Sequence, residues 1–234
     1  MKITKMVVLG VALLAMVSSA YAQRNSQIEF YGGVAFPMAP DFFKDYTKVG
    51  LSGNLQYVIF PSPRLGITFN VGYERFSTDN DKFVNAFSET FTGQTADFWI
   101  DDGFDINPSA DITASAIKFG VGVRPYLTTP EASTQFFLLG QVNYNLISND
   151  WNVTQLPTAY NPLTDVLTVL TADDGELEDA FDDNDEKKIG FAGGAGLEIP
   201  AGSSFNIVLQ GLFNVILTED ESTSFIGVTA GLVF

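Results

Sequence analysis

Ala116-Ile117-Lys118-Phe119-Gly120-Val121-Gly122-Val123-Arg124-Pro125 is the stretch on which the fold turns. Ile117, Phe119, Val121 and Val123 stand at every second position, and Ala116, Lys118, Gly120, Gly122 and Arg124 fill the gaps. Successive side chains of a strand point to opposite faces, so the segment has one wholly apolar face and one of small and charged residues. The same pattern recurs outward from it, over 27–36, 48–59, 65–74, 136–146, 189–199, 205–217 and 225–234. That makes eight segments, each long enough for a tilted strand to cross a bilayer, which takes roughly 9–11 residues. Eight is also an even number, as single-chain bacterial membrane barrels require.

A soluble sandwich also alternates, so the minority face has to decide. It carries Gly, Ala, Ser, Asn and Gln, with few charges. Six basic residues lie within or beside the strands (Lys48, Arg64, Arg75, Lys118, Arg124 and Lys188), too few to solvate an exterior. Small polar residues suit the cramped inside of a narrow barrel, which leaves the apolar face for lipid. The sequence therefore predicts an all-β fold: a closed antiparallel eight-stranded up-and-down transmembrane β-barrel over residues 23–234.

The connections alternate as the strands do. Pro61-Ser62-Pro63, the segment 128–132 and Pro200-Ala201-Gly202-Ser203 are short turns, whereas 37–47, 77–111 and 148–187 are long, with a shorter fourth connection at 218–223. Short periplasmic turns and long external loops are the asymmetry of outer-membrane barrels. Of the 28 acidic residues, 24 fall in those four external connections, against Lys44, Lys82 and Lys187, so the loops carry −21.

Before the first strand, Lys2 and Lys5 precede a short apolar run from Met6 to Val17, and small residues end in Ala20-Tyr21-Ala22. This reads as a signal peptide, 1–22, cleaved after Ala22; the run is too short to span a membrane. The chain has no cysteine and no histidine, which removes disulfides, thiolate or imidazole metal sites and Ser-His-Asp chemistry. A formal net charge of −16 argues against nucleic acid as a partner.

The opening strand with Phe30-Tyr31-Gly32-Gly33-Val34-Ala35-Phe36-Pro37, the strand over Ala116–Pro125 and the last strand ending in Phe234 resemble the small bacterial outer-membrane β-barrel proteins, the OmpA-transmembrane-like and related eight-stranded families. The resemblance implies residence in the bacterial outer membrane, with outer-membrane lipid as surroundings. It also implies that Val228, Ala230, Leu232 and Phe234 form an end signal read by the outer-membrane assembly machinery. No C-terminal peptidoglycan-binding domain is expected after the eighth strand. Membrane barrels of this size that act as enzymes rely on a histidine, so no catalysis and no cofactor is expected here.

Glu29, Glu74, Lys118, Arg124 and Glu198 fall on the inner face, as a lumen charge cluster that prevents unpaired buried charge. Glu29, Arg124 and Glu198, with Arg64 nearby, lie toward the periplasmic end; Glu74 and Lys118 lie farther up on neighbouring strands. Tyr57, Tyr73, Tyr144 and Trp151 sit where membrane-interface aromatics belong. The acidic run Asp173–Glu186 lacks the spacing of an EF-hand loop and reads first as a solvated face. Asp182, Asp183 and Asp185 are the residues through which it would bind Ca²⁺ or Mg²⁺ weakly. The expected role is structural or surface-interacting. The alternatives are a narrow channel for small or hydrophobic solutes, resembling the OmpW type, and a secreted lipid-binding soluble barrel.

Overall fold

The computed structural model describes residues 26–130, 132–171, 184–202, 204–218 and 221–234. The signal segment expected at 1–22 lies outside them, as do Asp182 and Asp183. In chain order the elements are β1 (Ser26–Ala39), α1 (Asp41–Tyr46), β2 (Gly50–Ser62), β3 (Leu65–Ser77), α2 (Asn80–Thr92), α3 (Ala96–Asp101), β4 (Ser109–Pro125), β5 (Gln135–Asn161), β6 (Val166–Thr171), β7 (Asn184–Pro200), β8 (Asn206–Ile216) and β9 (Thr223–Val233).

Eight of the nine strands form a ring. Each pairs antiparallel with its neighbour in the order β1-β2-β3-β4-β5-β7-β8-β9, and β9 returns to β1. At that seam Ile28 N–H donates to the Phe234 carbonyl at 3.1 Å, and Phe234 N–H donates to the Ile28 carbonyl at 2.9 Å. Closure leaves no ring strand with an unpaired edge, the condition for placing strands in hydrocarbon. The ninth strand, β6, lies outside the ring and pairs only with the far half of β5.

The period of two sorts the side chains as the alternation requires. Phe30, Leu55, Phe69, Phe119, Val121, Val142, Phe191, Phe213 and Val228 face outward and are 39–54% exposed. Gln56, Asn70, Gln141, Asn143, Asn145, Gln210 and Asn214 face inward and are buried. Water would not tolerate so continuous an apolar exterior, because exposed apolar patches on soluble proteins rarely pass a few hundred Å². On the inside, small residues stand beside large ones: Gly120 is paired between Asn70 on β3 and Asn143 on β5. A Cβ there would collide with both amide oxygens.

The long connections differ from structureless loops. Residues 77–111 contain two helices, and 148–171 continue β5 and form β6, so the β4–β5–β6 sheet stands well beyond the ring. At 27 residues, β5 is far longer than the roughly 9–11 that crossing a bilayer needs. Phe83 and Val84 of α2 and Ala96 of α3 pack on Ala110, Ile112, Val153 and Leu156 of this extension, with Tyr46 of α1 against them. The helix ends fit their sequence. Gly93 takes φ 80° at the end of α2, which a residue with a Cβ resists, and the Thr95 hydroxyl accepts from Phe98 N–H at 3.2 Å to start α3. Trp99 is buried, donates to Thr92 Oγ1 at 2.9 Å and stacks on Tyr160, with ring centroids 4.5 Å apart.

This cap corrects one aromatic assignment. Trp151 packs against the cap core, whereas Tyr57, Tyr73 and Tyr144 are exposed on the outer wall. Its place in the fold is thus a second, smaller core seated on the barrel. At the tip of the β5–β6 hairpin, Tyr160 donates its hydroxyl to Asp165 at 2.9 Å. That bond and the Asp165 charge raise its pKa above the ordinary tyrosine value. The bond is therefore present below the tyrosine range and is lost as pH rises through the raised pKa.

Candidate functional site in the barrel lumen

The interior is built in layers. At the end holding the short turns, Tyr31, Tyr126, Phe137, Leu139, Val208, Leu212 and Val233 form an apolar floor, with Phe60 against it. The alternation places Tyr31 and Val233 on the lumen face among small and polar residues, but it does not assign Phe137, Leu139, Val208 and Leu212 there. Those four sit between apolar outward neighbours, where alternation vanishes.

Arg124 occupies the centre of this floor region and is fully buried. Its two terminal nitrogens bond the two Glu29 oxygens at 2.5 and 2.7 Å, a bidentate fork. The residues come from strands on different sides of the ring, β4 and β1. Nη2 also donates to Tyr31 Oη at 2.9 Å, and Nη1 to Tyr126 Oη at 3.3 Å. Glu29 accepts further from Gln27 and Tyr31, and from Gln56 Nε2 at 2.9 Å. Gln141 Nε2 extends the network to Gln56 Oε1 at 3.0 Å. The guanidinium lies 4.3 Å from the Phe137 ring centroid, where the ring face attracts a cation.

The other expected residues have these places. Glu198 is buried and accepts from Asn206 Nδ2 at 2.6 Å and from Tyr126 Oη at 3.4 Å, so Tyr126 bridges Arg124 and Glu198. Lys118 and Glu74, neighbours on β4 and β3, form a second buried ion pair higher in the barrel. Arg64, expected near the first cluster, is instead exposed at the β2–β3 turn. Two separate buried pairs thus lie in the lumen at two heights, the Arg124–Glu29 pair reaching between non-adjacent strands and the Lys118–Glu74 pair lying along adjacent ones.

The residues expected to form the end signal, Val228, Ala230, Leu232 and Phe234, lie on the outer face and point away from the lumen. The Phe234 ring sits 6.3 Å from Phe30 in an edge-on contact and 6.4 Å from Phe205. Asp185 enters β7 in register with Ser148. Among the described residues no group of three or more acidic side chains is placed to hold a metal ion.

No protein-family model matches this chain, and no curated protein matches it. Solved structures do. A major outer membrane protein from Thermus thermophilus superposes with a TM-score of 0.50 at 11% identity, over 89% of this chain and 98% of that one. Neisserial surface protein A is similar with a TM-score of 0.46 at 12% identity, over 89% and 94%. OprG from Pseudomonas aeruginosa gives 0.43 at 12%, over 91% and 98%. At these identities the likeness shows the fold: a closed eight-stranded barrel of the bacterial outer-membrane kind.

Proposed function

We propose that the chain is an integral barrel of the bacterial outer membrane with a structural or surface-interacting role and no catalysis. One observation carries the reading: an apolar outer wall surrounds a lumen that holds buried ion pairs at two heights. The wall is suited to hydrocarbon, so outer-membrane lipid is the surroundings that stabilise it. The floor and the Arg124–Glu29 fork fill the interior at the short-turn end, and a ring of eight strands is just wide enough for side chains, which supports a packed lumen over an open channel. The acidic loops then face the cell exterior, where weak divalent binding through Asp182, Asp183 and Asp185 is a further role open to them.

Membrane fractionation and planar-bilayer recording test this reading together. The protein should stay in the membrane pellet until detergent is added, and unboiled samples should migrate differently in SDS from boiled ones. Purified barrels should show little steady conductance. A stable conductance that survives deletion of the long connections would favour the narrow-channel reading, and release without detergent would favour a soluble barrel.

Phe234 is proposed as the end signal for the assembly machinery. Its ring lies beside Phe30 and Phe205 on the outer wall and is 54% exposed, so losing it removes modest packing from the folded state. Phe234→Ser should therefore cut the amount of membrane-inserted protein several-fold while changing the unfolding midpoint of the inserted fraction little. Equal insertion of both forms would remove the assembly role.

A further inference from the structure

Above the Glu74–Lys118 pair and beneath α1, the lumen widens into a cavity of about 240 Å³. Phe43, Phe76, Phe225 and Ile147 supply its apolar walls, and Glu74 and Glu186 its acids. The rings meet edge to face: Phe43 and Phe76 are 4.9 Å apart at 72°, Phe76 and Phe225 5.3 Å apart at 66°. They come from α1, β3 and β9, so the walls close only when the ring and its first connection are both formed.

The two acids stand on one rung, running Glu74–Ala116–Ile147–Glu186 across β3, β4, β5 and β7. Lys118 and Lys188 share the rung below through Asn145, and each pairs with one acid from beneath. The carboxylates rather than the ammonium groups therefore line the cavity. Glu74 is 1% exposed; its Oε1 meets Lys118, and its Oε2 is buried with no hydrogen-bond partner among the described residues. A buried carboxylate oxygen is costly unless a donor reaches it.

Charge, walls and size select the ligand class. Loops carrying −21 raise the local concentration of cations and repel anions. Aromatic rings favour an ammonium over a neutral group, and apolar walls favour one with a hydrocarbon body. Ser115, Asn149, Thr218 and Thr223 add polar atoms to the rim, but the walls are largely apolar. Ca²⁺ takes 6–8 oxygen ligands, and among the described residues no group of three or more acidic side chains is placed to hold a metal ion. The volume is roughly eight times the ~30 Å³ that a water occupies in the liquid, which suits a fragment-sized molecule.

We propose that this mouth cavity binds a small organic ammonium ion, whose N–H donates to Glu74 Oε2 and whose apolar body sits among Phe43, Phe76 and Phe225. The site depends on the barrel and its cap, and stands whether or not the lumen conducts.

Calorimetry on the folded barrel in non-ionic detergent tests it with two probes of nearly equal shape, phenethylammonium chloride and 2-phenylethanol. The ammonium should bind saturably, one per barrel. The alcohol should bind at least about tenfold more weakly, the difference a hydrogen bond to a charged group makes. Glu74→Gln should weaken the ammonium about tenfold and leave the alcohol unchanged. Ala114→Phe, which fills the cavity and keeps every charge, should abolish binding of both. Equal affinity of the wild type for the two probes would overturn the proposal, as would ammonium binding that persists in Ala114→Phe, because the loops alone would then account for it. Should Glu74→Gln not give a heat-shifting folded band, the two-probe comparison and Ala114→Phe decide alone.

Discussion

Glu29→Gln should cost the folded barrel about 3 kcal/mol or more, because it leaves the Arg124 guanidinium charged and uncompensated in the lumen. Arg124 and Glu29 are both 0% exposed, so no rearrangement of surface water softens the loss. Adding Arg124→Met should recover much of the stability, since removing both charges also removes both desolvation penalties. Urea titration of the lipid-inserted protein, followed by the heat-dependent shift in SDS, measures each form. Equal losses in the single and double variants would mean that the pair is not what Glu29 contributes.

Gly196→Leu should nearly eliminate folded barrel, whereas Gly140→Leu should fold almost as the parent does. A Cβ at Gly196 would lie 2.7 Å from Phe137 Cε2 and 2.7 Å from the Leu209 carbonyl oxygen, and the latter is fixed in the strand ladder. A Cβ at Gly140 meets nothing within 4 Å, because it points outward. Overpacking of a filled interior typically costs about 1–3 kcal/mol, and more where backbone must move. The yield of heat-shifting protein after refolding into detergent reads the contrast. A normal yield for Gly196→Leu would show that the floor around Phe137 is loosely filled.

The barrel wall was legible because a period of two survives wherever one face is apolar and the other small or polar, as over Ile117–Val123. The same filter hid the rest. Asn80–Thr92 carries Phe83, Val84, Phe87 and Phe91, a helical spacing, and ends at Gly93. Inside a long connection between strands it read only as loop. Charge complementarity by strand and height suffices to bring Lys118 to Glu74, but it misplaces Arg64 beside the Glu29 cluster, since a residue in a turn is free to point outward. Gln27, Gln56, Tyr31 and Tyr126 could not be assigned to the Arg124 fork from sequence, because only the ring's closure brings β1, β2 and β4 to one point. The cavity under α1 was equally hidden, needing Phe43 to fold back over β3.

The Ile28–Phe234 seam has a kinetic consequence. The two strands it joins are the most distant in sequence, so no local hairpin can form it early, and closing so long a loop is slow. Until it forms, every partial sheet shows two open edges and a greasy outer face, both templates for association with other chains. The unclosed chain must therefore be kept apart from its copies by something else during transit. Its half-life in solution, and not its final stability, should set how much protein a cell can install.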